Sequence, residues 1–403
     1  MPVSEDLKRQ VLGYICPEDV IELSRELVRI PSDTGHEKTV SDFCVSTLTR
    51  MGLDTRGIAS PAAPDRPNTV GLWRGSGGGP TVMFSGHLDT VGPGDRAKWI
   101  TDPYGGEVID GKIYGRGAMD SKGGGIASIV IALRAIQKAG VRLKGDLLVV
   151  GSVDEEVGGR MGMRFLVESN SIRPDMVVYC VHSDMEIKAN FKGVCWLEWT
   201  VRGQTAHGSM PHRAVNAVLS ATRLIGELER RGVLPFDRHP ILGDMTYNFG
   251  WITGGEYPRY NQVADVCKFG LDVRLVPGQS SAQLEAGMNA LIAELRGKDP
   301  TFDASFKFAT RREPRFVPES ESVLQIVKRA ATEVMGRPPT VGGTISTGDL
   351  TAILEKGIPG IGFGPGDLDR GNAHKENEFI EVDQLVDATK IYALTMMEAC
   401  GVA

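Results

Sequence analysis

The sequence predicts an α/β fold interrupted by a smaller α+β segment, and three observations carry that prediction. Short apolar runs suited to buried parallel strands alternate with helical patterns up to about residue 181. From residue 194 the texture changes to strands that alternate apolar and polar residues, in the order β-α-β-β-α-β. The first texture then resumes from about Pro318 to the end. A chain of 403 residues, 41% hydrophobic and 24% charged, is long enough for two domains or one large one.

In chain order, DVIELSRELVRI puts Val20, Ile21, Leu23, Leu27, Val28 and Ile30 near one helical face, and Pro31 stops the run. A second helix is expected from about Lys38 to Met51. Strand-like runs follow at TVGLW around Val70 and at TVMFSGH, which ends on His87. Gly123 to Ala139 reads as a helix, DLLVVGSVDEE as another buried strand, and DMVVYCV (175–181) as a further core strand. VCWLEWTVRG (194–203) has the alternation of a strand wet on one face. Next come a helix from about Ala214 to Arg231, strands near Met245 to Ile252 and Val266 to Leu275, a helix over Ser281 to Arg296 and a strand at FDASFKFAT. This is the split ferredoxin-like order. A helix at 321–335, a strand at GIPGIGFG and a closing helix from Val382 to Glu398 complete the chain. The expected division is a discontinuous domain over 1–193 and 314–403, with 194–313 inserted.

A formal charge of −6, with both signs interspersed, offers no basic stripe for a phosphate backbone, so nucleic acid is not an expected partner. The start, MPVSEDLKRQ, has no signal-peptide pattern, and no run of about 18 apolar residues could span a bilayer. A cytoplasmic protein with no membrane partner is expected. Six dispersed cysteines without C-x-x-C spacing signal neither a zinc knuckle nor a disulfide framework. Any metal must then use nitrogen and oxygen ligands. The fifty glycines cluster at sites such as Gly75 to Pro80 and Gly123 to Gly125, a pattern that suits ligand-holding loops.

Four places concentrate acids and histidines. In SGHLDTV, His87 and Asp89 lie two residues apart at a strand end; the histidine could ligate a metal with Asp89 orienting it, or the pair could cap a loop. In GRGAMDSKGGG, Asp120 sits among glycines, where a carboxylate can bridge two cations about 3.5 to 4 Å apart or cap the following helix. In VDEEVGG, Glu155 and Glu156 follow a buried strand and point different ways, so one could ligate metal and the other move a proton, unless both merely face solvent in a turn. His374, in GNAHKENEF, lies in a polar loop after a strand-like run. Together they fall at the carboxyl ends of expected parallel strands, where open α/β sheets bind ligands.

The ordered set SGHLDTV, GRGAMDSKGG, DEEVGG, GQTAHGSMPH and GNAHKENEF resembles the M20 family of metallopeptidases and deacylases, over about residues 18 to 398. Members include acetylornithine deacetylase, succinyl-diaminopimelate desuccinylase and glutamate carboxypeptidase. The resemblance implies a zinc-peptidase α/β catalytic domain with an inserted ferredoxin-like α+β domain that serves dimerisation and acts as a lid. It implies His87 on one metal, Asp120 bridging, Glu156 and His374 on the other or shared, Glu155 as general base and Asp89 in support. Where the deacetylases carry G-E-P, this chain has YCVHSDMEI, so His182, or alternatively Asp184, completes the first site. N-carbamoyl amino acid hydrolases and allantoate amidohydrolases look similar in placing a histidine there. In GQTAHGSMPH, His207 would reach the substrate carbonyl of the partner subunit in a homodimer joined through the inserted domain. Arg259, Asn261 and Arg274 would meet polar groups of the substrate, although Arg274 could equally sit in a strand-end salt bridge. Thr344 and Ser346, in GGTISTGD, are further substrate candidates by resemblance.

The expected reaction is hydrolysis of an amide in a small N-acyl amino acid or short peptide, with a metal-bridging water as nucleophile and Glu155 taking its proton. The expected cofactors are two divalent ions, zinc by ligand type, with Co²⁺ or Mn²⁺ suited to the same set. An N-carbamoyl or ureido amidohydrolase is the alternative. A non-catalytic metal-storage role would require a missing catalytic group, and none is missing.

Overall fold

Val82–His87 (VMFSGH) is buried at every residue, because it lies between two other strands of a sheet covered on both faces. The computed structural model describes residues 3–234, 238–344 and 348–403. Its main sheet runs in the order Asp54–Ala59, Pro67–Trp73, Leu147–Ser152, Val82–His87, Met176–Tyr179, Gly360–Gly362, Ile187–Phe191. The four strands Leu147–Ser152, Val82–His87, Met176–Tyr179 and Gly360–Gly362 pair in parallel, and the flanking strands are antiparallel. The register sets His87 opposite Ser152 and Ser85 opposite Tyr179. The chain therefore leaves neighbouring strands at one edge, immediately before Asp154 to Glu156 and His182.

The closing helix, Val382–Cys400, is buried along most of its length and packs against helices Ala127–Lys138 and Ser322–Met335. The helix expected from Gly123 starts instead as a π-type turn, Lys122–Ile126, and becomes α-helical at Ala127. The three glycines allow this close approach: a Cβ on Gly125 would stand 2.7 Å from Cys180 Sγ. Among the elements absent from the sequence reading are helices Glu5–Leu12 and Met163–Glu168 and strands Asp54–Ala59 and Ile187–Phe191. The last of these reads IKANF, a short apolar–polar alternation that the reading passed over, and in the sheet Ile187, Ala189 and Phe191 are buried.

The chain divides into two units, Met1–Ala189 with Val317–Gly342 and Gly348–Ala403, and Asn190–Phe316 with Gly343–Thr347. The second begins and ends beyond residues 194 and 313 because Phe191 and Asn190 pair with Arg315 and Phe316. Its antiparallel sheet has the order Thr246–Gly254, Val266–Leu275, Gly193–Arg202, Asp303–Arg312, the ferredoxin-like arrangement. Helix Ala217–Arg231 starts later than Ala214 because Pro211–Arg213 forms a 3₁₀ turn and Asn216 caps the helix through the amides of Val218 and Leu219. A reciprocal Ser280–Gln283 capping box starts helix Ser281–Lys298.

At the centre of this unit Trp199 is fully buried and stacks on Phe269 at 5.6 Å between ring centroids. Trp199→Ala should therefore destabilise this unit by about 3–5 kcal/mol. Guanidinium unfolding followed by far-UV circular dichroism would measure the loss, and a change under 1 kcal/mol would contradict this packing account. Among the described residues, no helix is long and apolar enough to cross a membrane.

Candidate metal centre

Asp120, itself buried, is the hub of a cluster of histidines and carboxylates in the first unit. Its Oδ1 lies 2.8 Å from His87 Nε2 and 3.4 Å from His182 Nδ1, while its Oδ2 lies 3.1 Å from His374 Nε2. Glu156 Oε2 is 3.0 Å from the same His374 nitrogen. One carboxylate thus presents one oxygen to His87 and His182 and the other to His374, which Glu156 shares. No side-chain cap forms at Ser121, and the Asp120 carboxylate faces histidines, so the capping alternative does not describe it.

The surroundings explain why these groups stay put. His87 ends a central strand, and Ser121 grips its backbone, with Oγ accepting from His87 N (3.0 Å) and contacting His87 O (3.2 Å). His87 Nδ1 lies 2.9 Å from the backbone oxygen of Asp89; if it donates there, Nε2 is free to act as an acceptor or a ligand. The Asp89 carboxylate accepts from Glu155 N (3.1 Å), Glu156 N (3.2 Å) and Thr34 Oγ1 (2.9 Å). It therefore fixes the turn that carries both glutamates. Arg66 holds the residue before them: it donates to both oxygens of buried Glu37 and pairs with Asp154 at 2.8 Å. Asp154 itself has a left-handed backbone, φ 69°.

Electrostatics mark the same place. Burial alone would lower the His87 pKa, but hydrogen bonds to Asp120 and Asp89 outweigh it and raise it well above 6.5. His374 is raised to about 10, first by its hydrogen bonds to Asp120 and Glu156. Burial, only partly offset by His87, raises Glu155 to about 8, and burial likewise raises Asp349 to about 7. Nδ1 of His182 is buried and has no hydrogen-bond partner among the described residues. A crowd of carboxylates and an unpartnered imidazole nitrogen facing one of them are the donor set that divalent cations satisfy. His87, Asp120 and Glu156 each offer a ligand atom within 4.8 Å of the others. The residues fit the cations.

Asp184 is placed otherwise. Its carboxylate accepts from Arg370 and from Gln384 Nε2 (2.7 Å), with side chain 43% exposed. Among the described residues, these hydrogen bonds hold it to Arg370 and Gln384 and none joins it to Asp120.

In the second unit, His207 Nδ1 accepts from Ser209 N at 3.2 Å. An amide can only donate, so the neutral ring carries its proton on Nε2 and offers that N–H as a donor. The residue pairs with Gln262, and Gly208 N donates to Asn261 O at 2.7 Å, which brings His207 and Asn261 together. Arg259 is exposed and pairs with Glu256 at 3.2 Å. Arg274 donates through Nε and Nη2 to Asp272 Oδ2 at 3.1 and 3.0 Å, the strand-end pairing left open by the sequence. Thr344 receives Lys192 N through its backbone oxygen at 3.3 Å. Ser346 lies outside the described residues.

The description "Peptidase family M20/M25/M40" matches residues 83–398, most of the chain. The chain belongs to the M20 family. Relatives in curated collections include the Escherichia coli K12 protein called uncharacterized protein YgeY, 30% identical over 392 residues and covering 93% of each chain. The succinyl-diaminopimelate desuccinylase of Methylobacterium radiotolerans is 27% identical over 390 residues, 93% of this chain and 95% of that one. Among solved structures, the aminopeptidase PepT of Bacillus cereus shares the fold, with TM-score 0.79 and 23% identity over 96% of this chain and all of that one. As an M20 member the chain is a hydrolase of the peptidase and desuccinylase type, acting on amide bonds in a metal-dependent family.

Several residues that hold this M20 site together escaped the motif reading. Glu378, four residues after His374, accepts Met119 N and Asp120 N, and Arg116 pairs with it. Lys122 is buried, donates to Ile30 O and Ser32 Oγ (2.5 and 2.8 Å), and burial lowers it to about 7. Asp349 accepts from Ser152 Oγ at 2.5 Å. A basic residue inside a glycine-rich segment next to apolar runs was the available signal for Arg116 and Lys122.

Proposed function

We propose that the chain hydrolyses the amide bond of a small N-acyl amino acid or short peptide at a dinuclear metal site, and that it works as a cytoplasmic homodimer. The carrying observation is the division of the Asp120 carboxylate, one oxygen toward His87 and His182, the other toward the nitrogen that His374 shares with Glu156. His87, His182 and Asp120 would hold one ion, and Asp120, Glu156 and His374 the other; zinc suits these ligands, and Co²⁺ or Mn²⁺ are also compatible. Bound there, the ions would supply acidity to water and polarise the substrate carbonyl.

The chain's own groups account for the proton. Glu155, held at the turn by the hydrogen bond that its backbone N–H donates to Asp89 Oδ1, takes a proton from the attacking water and returns it to the leaving nitrogen. Asp89 keeps His87 and the two glutamates in register and moves no proton itself. His207 from the partner subunit, with its Nε2–H, would donate to the carbonyl oxygen as negative charge develops. Arg259, Asn261, Arg274, Thr344 and Ser346 are proposed contacts for the polar groups of the substrate, and Arg274 would have to exchange Asp272 for a substrate carboxylate. Small-molecule amides are the proposed partners, with no role for nucleic acid or membrane.

His182 at the strand end favours one second reading, hydrolysis of an N-carbamoyl substrate. A screen of N-acyl, N-carbamoyl and dipeptide substrates with added Zn²⁺, Co²⁺ or Mn²⁺, scored for ammonia as well as amine, separates the two. Ammonia from a carbamoyl substrate alone would displace the acyl reading. His182→Ala should cost the first ion at least tenfold in affinity, whereas Asp184→Ala should leave both ions bound, because its carboxylate is engaged by Arg370 and Gln384. Metal analysis after dialysis checks this, and the reverse pattern would transfer the ligand role to Asp184.

A further inference from the structure

The two proposed ion positions are anchored by different means. His87 is fixed by a strand inside the sheet, with both backbone groups held by Ser121. His374 sits in a loop with a left-handed backbone, φ 59°, and its side chain is 51% exposed. Something else must hold it against Asp120.

That hold comes from a buried ion pair. Arg116, 1% exposed, donates through Nη1 to Glu378 Oε2 at 2.5 Å and through Nη2 to the carbonyl of Lys375 at 2.9 Å. The other oxygen of Glu378, itself fully buried, accepts Met119 N at 3.0 Å and Asp120 N at 3.1 Å. One guanidinium and one carboxylate therefore tie the peptide that carries Asp120 to the peptide that follows His374, two segments far apart in sequence. The Trp99 ring, 5.4 Å away, covers the guanidinium. A planar fork with two separate donors is needed to reach the carboxylate and the carbonyl at once, and lysine has no such fork.

We infer that Arg116 is a positioning residue for the second ion: through Glu378 and the Lys375 carbonyl it sets the separation of Asp120 and His374, and so the affinity of that position alone. The inference rests on the dinuclear reading. Supporting groups of this kind change metal affinity by about 10- to 100-fold.

The test is calorimetric titration of the metal-stripped full-length protein with Zn²⁺, with melting temperature recorded separately. Wild type should bind two ions. Arg116→Lys should bind the first with unchanged affinity and the second about 10- to 100-fold more weakly. Glu378→Gln keeps the shape and an oxygen for the amides but loosens the fork, so it should give the same selective loss if Arg116→Lys does not fold. A lower melting temperature with both affinities unchanged, or equal weakening at both positions, would overturn the inference and leave Arg116 as a structural ion pair. A wild type that binds fewer than two ions would instead overturn the dinuclear reading beneath it.

Discussion

Glu155→Gln is expected to lower kcat by about 10³-fold while both ions stay bound, within the 10²- to 10⁴-fold range of a positioned general base. The substitution preserves shape and the backbone bond from residue 155 to Asp89, so the metal ligands should not move. It removes only the basic oxygen. In the protein, burial raises Glu155 to about 8, with His87 opposing and the charges of Asp349, Asp120 and Glu156 adding to the rise. The carboxylate is the active form, so activity should grow as pH rises through its pKa. Cations at Asp120 and Glu156 oppose the burial effect, which places this acidic limb of kcat/KM below pH 8. Glu155→Gln should flatten the limb as well as lower the rate. Titration of ion content beside the pH profile separates a lost base from a lost metal; wild-type kcat with unchanged ion content would exclude Glu155 from proton transfer.

What the sequence disclosed follows from how local each signal is. The inserted unit was readable because alternation is a property of neighbours: in VCWLEWTVR the core takes Val194, Cys195, Leu197, Trp199 and Val201, while Trp196 and Arg202 face water. His87, Asp120, Glu156 and His374 were readable as candidates because each lies in or just after a short, recognisable stretch, and the fold brings them together. Arg116 and Glu378 were not, because their meaning depends on a contact across the whole first unit. The same holds for Arg66, whose partners Glu37 and Asp154 belong to separate segments. Arg274 shows a further limit. A substrate fork and a salt bridge require the same residue type at a strand end, and only coordinates show Asp272, two residues away on the same strand face, as its present partner.

Asp120→Asn should have the largest effect of all, abolishing measurable turnover, a loss of about 10⁴-fold or more, and reducing bound metal to at most one ion. Among the described residues its carboxylate is the only one that contacts both His87 and His374, so no described neighbour can replace its two oxygens. An amide has one weaker acceptor and, on its other side, an NH₂ that repels a cation. Losing the shared ligand therefore weakens both positions at once, unlike His182→Ala, which is expected to spare one. Stability gives an independent reading. A ligand that binds only the folded state stabilises it by RT ln(1 + [L]/Kd), about 2.7 kcal/mol at a hundredfold excess over Kd. Wild type should thus gain markedly in melting temperature when Zn²⁺ is added to stripped protein. Asp120→Asn should gain little over the same range, although its fold, built on strands that do not depend on this carboxylate, remains intact by circular dichroism. If the variant showed the full Zn²⁺-dependent gain, Asp120 could not be the shared ligand, and the dinuclear assignment would fall with it.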